Sequence, residues 1–294
     1  MTVFTLYLAA DWSAANKPTR GKDSIWLATS RNGSVSARNI PTRFEALRLI
    51  EELTVEEKNR GGRTLAGFDF AFGFQEGVAE AVTGQASWRA MWHLLAELVE
   101  DDEANRSNRF EVAGELNRRL GRPRFWGKPH QQAERYPLVP STRPSASVAD
   151  DRRWIEGVVS GAKPVFQLAY TGAVGSQSLL GIAGLEKLRQ RIGAAIWPFE
   201  TLFTDDLSAH AVFCEIYPSL FLRRHFGEGT KDEAQVRAVA AAIAAYDRAG
   251  RIEELLGPPP GAGKAALAAM LREEGSIMGA GVLGRSEGDL SCAS

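Results

Sequence analysis

Thr5-Leu6-Tyr7-Leu8-Ala9-Ala10-Asp11-Trp12-Ser13 runs apolar and β-prone up to a single acid, and Ala14-Ala15-Asn16-Lys17-Pro18 then breaks the run. A short apolar run bounded by turn residues predicts a buried strand. A carboxylate at the end of such a strand is costly unless it is paired, hydrogen-bonded or bound to a cation. The pattern recurs in Thr64-Leu65-Ala66-Gly67-Phe68-Asp69-Phe70-Ala71-Phe72-Gly73 and in Ala211-Val212-Phe213-Cys214-Glu215-Ile216-Tyr217-Pro218. Each of these predicted strands presents one acid among apolar neighbours: Asp11, Asp69 and Glu215.

Between the first two acids, Ser24 to Thr29 and Ser34 to Ile40 read as strands joined by the hairpin signal Asn32-Gly33. Pro41-Thr42 opens a helix with Phe44, Leu47, Leu49, Ile50 and Leu53 at helical spacing, ending before Gly61-Gly62. A meander, a helix and a returning strand predict a mixed sheet and not the repeated βαβ units of a doubly wound fold. Residues 77–100 read as helix with Trp88, Trp92, Leu95 and Leu98 on one face, and residues 101–136 are rich in Arg, Asn and Glu. Further on come Val165 to Tyr170, the turn Gly172-Ala173-Val174-Gly175-Ser176-Gln177 and a helix through Leu179 to Leu188. Ile196 to Glu200 is a short strand or edge, Lys231 to Ala249 a long helix, and about 264–274 a last one. The expected architecture is α/β, with a core of residues 1–75 and 160–280. A mostly α-helical insertion, residues 76–159, caps that core without folding independently, and residues 281–294 form a flexible tail.

The 294 residues carry 35 Lys and Arg against 36 Asp and Glu, a net charge of −1, so no global field draws the chain to nucleic acid or an anionic membrane. With 44% apolar residues there is ample material for a core. The two cysteines, Cys214 in a predicted strand and Cys292 near the end, read as a buried apolar residue and a loose one. No membrane-length apolar run and no cleavable leader pattern appears, so a cytoplasmic protein without a membrane partner is expected.

Acids at the ends of neighbouring strands suit divalent-metal chemistry on phosphates. Mg²⁺ prefers carboxylate and water oxygens and keeps positions open for substrate phosphate, and a pair of such ions activates water and steadies the leaving oxygen. Asp11 and Asp69 are the expected ligands of Mg²⁺ or Mn²⁺, with Glu215 a ligand or water-orienting base. The alternative is that the two aspartates cap loops and Glu215 pairs with an arginine. Lys17, Lys128, Gly175, Ser176 and Gln177 are the candidates for a rim that contacts phosphate or ligand. Arg122, Arg124 and Lys128 around Phe125-Trp126 read equally as phosphate and base contacts or as a loop pinned by its aromatics. Gly257 to Lys264 is not a phosphate-binding P-loop: its spacing is one residue too long, Ala265 follows the lysine, and no strand precedes it. The histidines lack metal-ligand spacing, and no Gly-x-Ser-x-Gly elbow occurs.

In order, Asp11-Trp12-Ser13, the Asp69 strand, Gly172 to Gln177, Trp197-Pro198-Phe199-Glu200 and Glu215-Ile216-Tyr217-Pro218 resemble the domain-of-unknown-function 429 family over about residues 3–280. The resemblance implies an RNase H-like mixed five-stranded sheet flanked by helices, with a carboxylate site on Asp11, Asp69 and Glu215. It also implies an acid in the early turns of the last core helix, where this chain has Arg237; a cation there would repel a second metal. Through the resemblance alone, Asp232 at the start of that helix is a fourth candidate. The leading expectation is divalent-metal-dependent phosphodiester hydrolysis on nucleic acid or a nucleotide-like phosphate ester. The second is a non-catalytic nucleotide- or small-ligand-binding protein on the same fold. An actin-like pair of duplicated halves is disfavoured, because only one meander is present.

Overall fold

The computed structural model describes residues 2–132, 134–145, 151–221 and 230–283. Its sheet comprises β1 (Leu6–Asp11), β2 (Ile25–Arg31), β3 (Ser34–Ile40), β4 (Thr64–Phe68), β5 (Ala195–Ile196) and β6 (Ala211–Glu215), in the order β3-β2-β1-β4-β6-β5. β2 runs antiparallel to β1 and β3, whereas β1, β4, β6 and β5 are mutually parallel. The hairpin follows from Asn32-Gly33: both residues take positive φ, 52° and 82°, which a two-residue turn between twisted strands requires. Helix α1 (Arg43–Asn59) then starts at Thr42, whose hydroxyl accepts the Glu45 N–H, and returns the chain to β4 beside β1.

Alternation along the strands divides the interior into two layers. Leu6, Leu8, Phe68 and Phe213 pack beneath α1, α3 (Trp88–Leu98), α4 (Arg109–Arg119) and α6 (Gly175–Ile192). Tyr7, Ala9, Leu65, Val212 and Cys214 pack beneath α7 (Lys231–Arg248) and α8 (Ile252–Leu256). Helices α2 (Val78–Thr83), α3 and α4 contribute Val78, Trp92 and Leu116 to the same core as the strands. Among the described residues between α4 and α6, the short α5 (Trp154–Val158) is the one helix longer than a single turn.

Three expectations change in detail. The sheet has six strands and not five, because Ala195–Ile196 pairs with Val212–Phe213 at the edge before Pro198 removes a donor. The helix expected over 77–100 is two helices: Gly84 in a left-handed conformation ends α2, and the Ser87 hydroxyl caps α3. The last helix is α9 (Lys264–Ala269), which widens into a π turn over Met270–Glu274. There Glu274 accepts the N–H groups of Glu76 and Trp154, and Glu273 that of Gly77. Residues 275–279 continue as buried chain, with Met278 N–H on the Glu215 carbonyl. Of the expected tail, residues 284–294 lie outside the described residues.

Candidate functional site

Parallel strands end together, so β1, β4 and β6 bring their last residues to one edge, where open α/β sheets characteristically leave a crevice. Ala10 pairs with Phe68 and Phe68 with Glu215. Asp69 donates its N–H to the Ala10 carbonyl at 2.9 Å and stands abreast of Asp11. By alternation Asp11 and Asp69 leave the sheet on the side covered by α7, and Glu215 leaves it on the other.

That register decides the three acids differently. Glu215 is buried and bidentate to Arg153 at 2.6 and 2.7 Å, and it accepts the Phe72 N–H at 2.9 Å. Arg153 also binds Glu156 at 2.7 Å and the Glu274 carbonyl at 2.9 Å. The arrangement is the arginine pairing set out above as the alternative for Glu215, with both carboxylate oxygens engaged. Asp11 and Asp69 receive no hydrogen bond or ion pair from any described residue. Burial, followed by the charges of Asp69, Asp232 and Asp23, holds the Asp11 carboxyl well above its ordinary range against a weaker opposing pull from Lys231. Burial, then Glu215 and Asp232, pushes Asp69 up to about 7. Two desolvated carboxylates that repel each other and lack donors are what a cation relieves.

Asp232 joins them from the first turn of α7, which lies across β1, β2 and β3. Arg237 does not occupy the acid's place: it pairs with Glu233 at 2.9 Å and donates to the Val35 carbonyl of β3. The repulsion of a second metal expected from Arg237 therefore loses its geometric basis, and the acid nearest the strand aspartates on α7 is Asp232.

A pocket of about 400 Å³ opens over Asp11, Asp232, Asp23, Ser176, Gln177 and Tyr170. A second, of about 260 Å³, has Asp69, Arg153, Glu215, Lys163 and Tyr217 in its wall and shares Ala173 and Gln177 with the first. Helix α6 begins at this shared wall, earlier than its apolar residues suggest. The Gln177 amide donates to the Trp12 carbonyl at 2.9 Å, tying α6 to the end of β1, and the Ser176 hydroxyl donates to Leu168 O at 2.7 Å. Neither side chain caps the helix. Gly175 is a packing residue, since a side chain there would strike the carbonyls of Val165 and Gln167.

The expected basic rim does not form from the lysines named for it. Lys128 is buried and its ammonium donates to the Tyr136 carbonyl. Lys17 is exposed and lines neither pocket. Arg124 is buried on Asp151 at 3.2 Å with its guanidinium over the Phe166 ring, and Phe125 is wholly buried, so that loop is pinned by its aromatics. Arg153 carried no signal in the sequence beyond a charged run, Asp150-Asp151-Arg152-Arg153, inside the presumed insertion.

Among the described residues no three His, Cys, Asp or Glu side chains form a ready-made metal cluster. Mg²⁺ commonly uses one or two carboxylates and completes its shell with water and substrate phosphate, so the aspartate pair fits such an ion. No described helix is long and apolar enough to cross a membrane. Compared with known proteins, the chain matches no family model, no curated protein and no solved structure.

Proposed function

We propose that the cleft binds Mg²⁺ or Mn²⁺ on Asp11 and Asp69, with Asp232 close by, and hydrolyses a phosphate ester. The observation that carries this reading is the pair of side-by-side, donorless carboxylates, one of them shifted to about 7 by burial and like charge. The strand order β3-β2-β1-β4-β6, with β2 alone antiparallel to its neighbours, is compatible with the RNase H-like core that the resemblance implies. A bound cation would polarise a phosphoryl oxygen as a Lewis acid. The chain's own contribution is to hold the two aspartates rigidly, through the β1–β4 ladder and the Gln177 bond to Trp12. The N–H groups of Ser176 and Gln177 have no backbone partner among the described residues and stand at the positive end of an 18-residue helix, suited to phosphate oxygens.

Hydrolysis of bis(p-nitrophenyl) phosphate in millimolar Mn²⁺ tests the reading. Asp11→Asn and Asp69→Asn are each expected to lower the rate at least ~100-fold, the order of loss when a group central to the chemistry is removed. Hydrolysis that survives both substitutions unchanged would remove the site from the reaction. One observation favours the second reading, a non-catalytic binder: the engagement of Glu215 by Arg153 leaves the strand ends with two available acids. In that case wild type binds Mn²⁺ and nucleotide but turns over no ester.

A further inference from the structure

Tyr170 lies at the mouth of the acid-lined pocket. The residue is 56% exposed, and among the described residues its ring has no aromatic or cationic partner and its hydroxyl no hydrogen bond. Its backbone has φ of 75°, a conformation costly for a bulky residue such as tyrosine and adopted more readily by glycine, asparagine or aspartate. Six described non-glycine residues have such φ values; Asp23, Asn32 and Asn105 are of types that tolerate it, and of the three bulkier ones, Tyr170, Leu202 and Phe203, Tyr170 lines this pocket. The turn is closed by the Ala173 N–H on the Tyr170 carbonyl at 3.0 Å and leads directly into α6. An exposed, unpartnered ring on a strained backbone has no packing role to offset the strain. Strain of this kind gathers where a ligand is met.

We infer that Tyr170 is a stacking platform, and that the phosphate ester taken by the acid pocket carries a flat π-ring, as a nucleoside or aryl phosphate does. The inference rests on the reading of the aspartates as a cation-assisted phosphate site and adds the identity of the group beyond the phosphate. The pocket, about 400 Å³, has the volume of a small-ligand site and accepts a mononucleotide-sized molecule. Leu168, Ala169 and Ala14 add apolar wall to the pocket, and Asp11 and Asp232 line it too. A ring on Tyr170 with its phosphate directed at a cation on Asp11 uses two groups that line the same pocket.

The test is calorimetric titration of wild type, Tyr170→Phe and Tyr170→Gly in Mn²⁺ with adenosine monophosphate, phenyl phosphate and inorganic phosphate, alongside thermal melts. Wild type and Tyr170→Phe are expected to bind the ring-bearing esters about tenfold more tightly than Tyr170→Gly, the order of one base–aromatic stack, with inorganic phosphate unaffected. Tyr170→Gly is expected to melt at the same or a higher temperature, because glycine relieves the backbone. Preference for adenosine monophosphate over phenyl phosphate identifies a nucleoside; equal loss of both identifies any flat ring. Unchanged affinity for both esters in Tyr170→Gly overturns the platform while leaving the phosphate site intact. A lower melting temperature, or loss of inorganic phosphate with the esters, also overturns it, because the ring then supports the fold. Wild type that binds none of the three ligands overturns the phosphate reading and the platform together.

Discussion

Replacing Arg153 with methionine is expected to lower the stability of the fold by about 3–5 kcal/mol, the range for breaking a buried ion pair from one side. The guanidinium sits between the buried carboxylates of Glu215 and Glu156 and also holds the Glu274 carbonyl. Burial opposes its charge, and the two carboxylates outweigh that opposition and hold it firmly protonated. Without it, two desolvated carboxylates face each other with one backbone N–H from Phe72 for Glu215 and one from Arg153 itself for Glu156. The same arginine joins three separate parts of the chain: β6, α5 and the turn after α9. Urea unfolding measures the loss. Arg153→Met combined with Glu215→Leu is expected to recover part of it, since Glu156 is then the one carboxylate left buried without the guanidinium. A loss under about 1 kcal/mol for the single variant would mean that the pair stabilises the fold no more than an exposed bridge does.

The second large effect is a dependence of stability on pH set by Asp69. Its carboxyl titrates near 7 in the fold and near 3.8 when free of it. Below about pH 3.8 it is protonated in both states and contributes no difference. Between there and pH 7 the native state keeps a proton that the unfolded chain has released, so stability falls as pH rises. Above 7 the loss is complete and constant, roughly 2–4 kcal/mol once partial solvent access at the cleft is allowed for. Asp69→Asn is therefore expected to stabilise the cation-free protein at pH 8 and to leave it unchanged at pH 4. Saturating Mn²⁺ is expected to flatten the wild-type profile, because the cation favours the ionised form that burial disfavours. Melts across pH 4–8, with and without Mn²⁺, read both effects. An identical profile for wild type and Asp69→Asn would show that the carboxyl titrates in its ordinary range.

The strand runs ending in Asp11, Asp69 and Glu215 were legible because each is short, apolar and bounded by turn residues. The Asn32-Gly33 hairpin was legible because that dipeptide accepts positive φ at both positions. Which way each acid faces was not legible. It depends on register: Glu215 pairs abreast of Phe68, one residue short of the line shared by Asp11 and Asp69, and a shift of one residue reverses the face. Arg153 escaped notice because it is brought to Glu215 by a contact 62 residues away in sequence. The positions of Lys17 after the first strand and Lys128 in the insertion suggest a rim, yet a lysine's long stem lets its ammonium reach an internal carbonyl, as Lys128 does at Tyr136. The place of Arg237 in the helix sequence does not show that its partners are Glu233 and the Val35 carbonyl of β3. The early start of α6 at Gly175 was hidden by the absence of a side-chain cap, since Val174 stands at that position.

The most direct test of the central claim is anomalous diffraction from crystals soaked in millimolar Mn²⁺, for wild type and for Asp11→Asn. A site built on the strand aspartates predicts one strong anomalous peak between the Asp11 and Asp69 carboxylates in wild type, lost or greatly weakened in the variant. No peak there in wild type, or the same peak in Asp11→Asn, would contradict it.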